Sequence, residues 1–169
     1  IGHMASIILR PFASKDPEYL ARWYEEDRPG LEELMGIDLP DHVSCTLAFN
    51  NLLEGDRQGY SLFLMAEHGD HPIGLVVVTD ITPDTGSGRP HWYIAPDERR
   101  HSLSVAREAH REARRRGFRY FLASIPDQNK PALAVAKRLG YAVLPRVMMF
   151  KELEPWEQNQ HTYRSSQQD

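Results

Sequence analysis

The run "PDERRHSLSVA", Pro96 to Ala106, decides how this chain is read. It stands where an alternating apolar stretch, "HWYIA" (His91–Ala95), gives way to "SLSVAREAHREARRRG" (Ser102–Gly117), whose Leu103, Ala106, Ala109 and Ala113 recur at helical spacing. A basic loop that opens a helix is a natural anion site, because the first turn has unpaired N–H donors and the dipole is positive there. Such loops usually carry glycines, which let the backbone approach the anion; this one carries Ser102 and Ser104. Serine before an apolar helix start is equally an ordinary N-cap, with Arg99, Arg100 and His101 as a solvated rim.

Working outward, "SIILRPF" (Ser6–Phe12) reads as a first strand. Asp16 then caps a helix with Pro17 at its first position and Leu20, Trp23 and Tyr24 on its apolar face. "PGLEELMG" gives a short helix broken at Gly36, and a further helix starts at the cap Asp41 and stops at Gly55. "YSLFLMAEH" and "PIGLVVVTDI", separated by "GDHP", are two antiparallel strands, and "HWYIA" is a third after the turn-rich "PDTGSGRP". Beyond Gly117, "FRYFLASI" is a strand and "NKPALAVAKRLG" a helix stopped by Gly140. "YAVLPRVMMFKEL" is a last strand interrupted by Pro145.

The order is strand, two or three helices, three meander strands, helix, strand, helix, strand. This predicts an α/β (α+β) domain with a mixed, mostly antiparallel twisted sheet of about six strands flanked by helices, the later strands paired in parallel across a helix. The expected boundaries are 1–4 an expression-tag remnant, 5–153 a single domain and 154–169 a polar, mobile tail.

With 169 residues and 41% hydrophobic content the chain suits one domain with a sizeable core. Its one cysteine, Cys45, excludes an internal disulfide framework and fits a reducing, cytoplasmic setting. No apolar run approaches the roughly 18 to 20 residues needed to span a bilayer. The net charge of −4 argues against general nucleic-acid binding, but the charge is uneven. Residues 1–60 hold 11 acids against five Lys and Arg, whereas residues 97–119 hold eight arginines against four acids. Both clusters read as solvated faces or, more sharply, as an anion site on the basic side and a cation-attracting surface on the acidic side. The histidines and the cysteine are scattered without ligand spacing, so no metal site is expected.

Taken together, the element order, the basic loop and a later motif resemble the GCN5-related N-acetyltransferase superfamily over nearly the whole chain. That family's cofactor loop reads Arg or Gln, two residues, Gly, one residue, then Gly or Ala. Here Arg99 matches it, while Ser102 and Ser104 stand at the two small-residue positions. "NKPALAVAKRLGY" is similar to the family's late motif, with Asn129, Ala132, Leu139, Gly140 and Tyr141 at matching spacings. The resemblance implies acetyl-CoA as co-substrate, its pyrophosphate held by Arg99, Arg100, His101, Ser102, Leu103 and Ser104. It also implies a thioester-polarising backbone N–H at a splay or bulge in the fourth strand near Tyr93, Ile94 or Ala95, and a contact from Asn129.

Where the family often carries a tyrosine as general acid this chain has Ala136, which cannot donate a proton. For the general base His91 is preferred over Glu67, His68 and Asp80, because an imidazole with a pKa of about 6.5 suits proton removal near neutral pH. The activity so implied is transfer of an acetyl group to a primary amine, on a small molecule or on a protein lysine or N-terminus, by a monomer or homodimer. The alternative is a catalytically inactive binding or structural protein with an eroded loop, resembling the small phage-encoded members found in virions or in host interaction.

Overall fold

The computed structural model describes residues 6–145, 149 and 151. Its described elements begin with strand β1 (Ile7–Pro11), helices α1 (Asp16–Met35) and α2 (His42–Gln58), and strands β2 (Leu62–His68), β3 (His71–Thr82) and β4 (Ser87–Ile94). A 3-10 turn (Pro96–His101), α3 (Ser102–Arg115), β5 (Tyr120–Phe121) and α4 (Lys130–Arg138) follow. The sheet runs in order β1-β2-β3-β4-β5, antiparallel except for the parallel β4–β5 pair. This is the expected mixed sheet, with five described strands rather than about six. The expected tag remnant, the tail from Glu154 and most of the last strand lie outside the described residues, and residues 141–145 carry no strand.

Helices cover both faces, and that is why the central strands read as unbroken apolar runs. Along β2 and β3, Phe63, Met65, Leu75 and Val77 pack with Trp23, Leu31, Leu39 and Phe49 of the α1–α2 layer. Their neighbours Leu62, Leu64, Ile73, Val76 and Val78 pack with Val105 and Ala109 of α3. The β2–β3 turn, Gly69–Asp70, has positive φ at both residues, as a two-residue turn that continues the strand twist requires.

Several boundaries move for identifiable reasons. The two N-terminal helices are one, α1, broken at Asp27 (φ −151°, ψ 51°) two residues before Pro29, whose ring and missing N–H interrupt the helical ladder. Asp16 is the first helical residue, not the cap. Its fully buried carboxylate accepts from the Ala13 N–H (2.6 Å) and from both Nη atoms of Arg10 (2.7 and 2.8 Å). Asp41 does cap α2, accepting from the Ser44 N–H at 2.7 Å. That helix passes through Gly55 and ends at Gly59 (φ 82°). Gly55 stays helical as a packing site, since a Cβ there would lie 2.4 Å from Ser61 Oγ. β4 begins at Ser87, earlier than the apolar pattern suggested, because Gly86 (φ 66°) closes a tight turn onto Thr82.

Candidate active site: a forked strand, a basic turn and a kinked helix

Among the described residues β5 pairs with β4 only at Ser87↔Tyr120 and Gly88↔Phe121, with Leu122 N–H to Gly88 O (2.9 Å) following. Beyond that point the two chains diverge around a cleft of ≈ 710 Å³, walled by Pro90, His91 and Trp92 on one side and by Leu122, Ala132 and Ala136 on the other. Pro90 is tolerated here because this side of β4 is an edge. A second cavity of ≈ 360 Å³ lies toward α1, lined by Gly30, Glu33, Tyr93, Arg99 and Ser102. Glu33, His91, Trp92 and Ser102 border both cavities, so the two meet beside His91.

His91 is half-buried, with Nε2 3.2 Å from Thr79 Oγ1. Burial and then the nearby Arg89 charge hold its pKa below the usual histidine value against the opposing pull of Asp80, which keeps the ring neutral at neutral pH. The other three base candidates line neither cavity. Glu67 is buried against Arg10 Nε (2.5 Å), His68 lies over His101 with ring centroids 4.3 Å apart, and Asp80 pairs with Arg89 at 3.4 Å.

The loop is wound more tightly than its sequence suggests. Glu98 N–H bonds to Ala95 O at 2.8 Å, and Ser102 N–H bonds to Arg99 O within the 3-10 turn. Ser102 has φ −53° and ψ −46°, ordinary right-handed helix, so no glycine-only conformation is demanded of it. Leu103 follows in the first turn of α3 with Ser104 exposed, and Arg100 reaches back to Asp97 O (2.8 Å). His101 Nε2 and Glu98 Oε2, 3.6 Å apart, are buried without hydrogen-bond partners among the described residues. Burial, then His68 and Arg100, lower the His101 pKa.

Of the expected splay or bulge near Tyr93–Ala95, the described residues show β4 splayed from β5, with a bulge on the neighbouring strand β3. Ala66 faces Gly74 while Glu67 faces Pro72, which leaves Ile73 of β3 as the extra residue. Ala95 N–H is consumed by Ile73 O at 2.8 Å, so Ala95 offers no donor to the cleft. Strand alternation turns the preceding N–H, that of Ile94, toward the open edge.

Asn129 caps α4, its Oδ1 accepting from the Ala132 N–H at 3.3 Å. Ala136 faces the cleft as a plain methyl group. Tyr141, at the same wall, bonds to His110 Nε2 (2.8 Å), whose Nδ1 lies 2.5 Å from Ala106 O. A carbonyl only accepts, so Nδ1 carries the proton and the Tyr141 hydroxyl donates to Nε2. Burial pushes the Tyr141 pKa up to about 12. Sequence reasoning missed this pair, and it missed the cluster at the α1 kink. There the Asp27 carboxylate lies 3.4 Å from Arg99 Nη2, beside the buried Tyr93 hydroxyl. The one signal available was "DRPG", a proline-glycine break inside a helical pattern. Among the described residues no group of three or more His, Cys, Asp or Glu could hold a metal ion, and no helix is long and apolar enough to cross a membrane.

The family model described as acetyltransferase (GNAT) domain matches residues 6–142, and the chain belongs to that family. No curated protein matches the sequence. Similar solved structures include RimJ of Mycobacterium smegmatis in complex with CoA-disulfide (18% identity, 79% of this chain and 69% of that one, TM-score 0.67). An acetyltransferase of Salmonella typhimurium that modifies the N-terminal serine of a 50S ribosomal subunit protein aligns at 14% identity over 79% and 78% (TM-score 0.65). Spermidine N-acetyltransferase of Vibrio cholerae, in complex with CoA and spermine, aligns at 14% identity over 80% of both chains (TM-score 0.65). These likenesses bear out the expected fold, and the CoA complexes agree with acetyl-CoA as co-substrate.

Proposed function

We propose that this protein is an acetyl-CoA-dependent N-acetyltransferase acting on a primary amine. The observation that carries the reading is the fork: an edge of β4 that is unpaired among the described residues opens a cleft that meets an α1-side cavity at His91. In this reading the pantetheine arm runs along β4 in the ≈ 710 Å³ cleft, and Arg99, Arg100, His101, Ser102, Leu103 and Ser104 hold the pyrophosphate. Acetyl-CoA supplies the activated acetyl thioester. His91, neutral and half-buried, takes the proton from the acceptor ammonium so that its nitrogen can attack. The Ile94 N–H, turned to the open edge, donates to the carbonyl oxygen as charge develops there. Asn129 orients the arm from α4. The C–S bond then breaks, the nitrogen of the new amide loses its surplus proton to water, and the leaving thiolate is protonated from water, since Ala136 offers no donor.

One observation favours the second reading, a non-catalytic binding or virion protein on the same fold: the Ser102 N–H, a donor such a loop would aim at phosphate, is already bonded to Arg99 O. Isothermal titration with acetyl-CoA separates the two. Binding by the unmodified protein, weakened at least tenfold in Arg99→Ala and Ser102→Glu, supports the enzyme; no heat at millimolar cofactor overturns it. With binding established, His91→Ala should lower kcat/KM for amine acetylation by about 10²-fold, and an unchanged rate would remove His91 from its role.

A further inference from the structure

Three charged or polar groups meet at the break in α1. Asp27 sits at the break itself with its side chain 15% exposed, and Arg99 Nη2 reaches it at 3.4 Å across 72 residues of sequence. The Tyr93 hydroxyl, on a residue only 4% exposed, makes no hydrogen bond of good geometry among the described residues, and burial together with the neighbouring Asp27 carboxylate pushes its pKa above the ordinary tyrosine value. Gly30 makes room for both: a Cβ there would lie 2.3 Å from Asp27 Oδ2 and 2.8 Å from Tyr93 Cε2. The cavity lined by Gly30, Glu33, Tyr93 and Arg99 therefore borders on Asp27, which lies against Gly30 just beyond the lining and takes its cation from the basic loop.

We propose that Asp27 and the Tyr93 hydroxyl dock the ammonium group of the acceptor, and that Arg99 occupies Asp27 until a cofactor phosphate draws it away. The proposal rests on the acetyltransferase reading. An ammonium brings donors and no acceptor, so a carboxylate and an unpartnered hydroxyl oxygen satisfy it together. Tyr93 and His91 are two residues apart on β4 and share a face, so the docked amine and the proposed base open on the same cavity. Arg99 is 63% exposed and can swing from Asp27 to a phosphate without leaving solvent. A phosphate and Asp27 compete for one guanidinium, and the two ligands are thereby coupled: the cofactor frees the amine site, and by reciprocity the amine favours the cofactor. The acceptor class is a cationic primary amine that enters second.

The test reads both ligands separately, using acetyl-CoA and n-butylamine as probes. Asp27→Asn frees Arg99, so acetyl-CoA should bind about two- to fivefold more tightly, the range expected of an exposed ion pair. The same variant should bind n-butylamine more weakly in the CoA-loaded protein. The gain in acetyl-CoA affinity should vanish in an Arg99→Gln background. Arg99→Gln, altering an exposed side chain, keeps the fold and should let the cofactor-free protein bind n-butylamine as tightly as the CoA-loaded unmodified protein does. Unchanged or weaker acetyl-CoA binding in Asp27→Asn, or equal amine affinity in the free and loaded unmodified protein, overturns the proposal. Absence of acetyl-CoA binding in the unmodified protein overturns the acetyltransferase reading itself.

Discussion

Strand β4 has two unlike edges. Toward β3 it is paired along its length, from Thr82↔Ser87 to Gly74↔Ile94. Toward β5, among the described residues, it holds two pairs and then lets go. The same residues thus serve a closed edge that carries the fold and an open edge that carries the site. A substitution on the first should cost stability, whereas one on the second should cost binding or rate.

The largest expected effect is on the closed edge. At Gly74 a Cβ would stand 2.1 Å from Tyr93 O and 3.1 Å from Ile94 Cα, backbone that cannot step aside. Gly74→Ala should lower stability by about 4 kcal/mol, read as a fall of about 10 °C in Tm by calorimetry. Next is the ion network that ties β1 and β2 to α1. Burial alone would raise the Asp16 pKa, but the Arg10 guanidinium and the Ala13 N–H outweigh it and hold the carboxyl below its usual range. A depressed folded value means this contribution is complete above the unfolded pKa of about 3.9 and is lost as pH falls through the lower folded value. Asp16→Asn should cost about 3 kcal/mol at neutral pH and flatten the acid limb of urea-unfolding curves. An unaltered limb would place that acid sensitivity elsewhere.

At the fork itself, a Cβ on Gly88 would meet Val78 Cγ1 at 2.5 Å and Phe118 Cε1 at 3.0 Å. Gly88→Ala should cost about 2 kcal/mol and, by shifting the divergence point, weaken acetyl-CoA binding as well. Equal loss of both in Gly74→Ala would erase the distinction between the edges. The smallest effect is a pH shift on the open edge. Because the His91 pKa is lowered and the base must be neutral, kcat/KM should rise with pH through a midpoint below about pH 6.5 and then level off. His91→Ala should lose that limb.

How much of this was legible follows from which pattern each element obeys. Helices α3 and α4 show the same amphipathic signal, yet α3 buries Val105, Ala106, Ala109 and Ala113 while α4, among the described residues, buries none fully and turns Ala132, Val135, Ala136 and Leu139 to the cleft. Periodicity reports an apolar face, not whether protein or ligand covers it. The basic loop was visible as a position through Arg99 and its spacing to Asn129. Its winding into a 3-10 turn was not, because the Ser102 N–H had a choice of partners that only the backbone path decides. Asp27 was invisible for a related reason: its counter-ion comes from a loop 72 residues away. Several of the arginines that made the loop's surroundings look basic turn out to be helix-surface partners of Glu108 and Glu112.

The early end of β5 has one more consequence. A strand edge with free N–H and C=O groups is a template on which another chain can add itself, and proteins usually guard such edges with charge or bulges. Here the vulnerable length of β4 is recessed between residues 122–125 and α4 on one side and α1 on the other, and it carries Pro90, which has no N–H to lend. A neighbouring strand would have to enter that recess to pair with β4, so the walls that form the cleft also guard its free edge against intermolecular association.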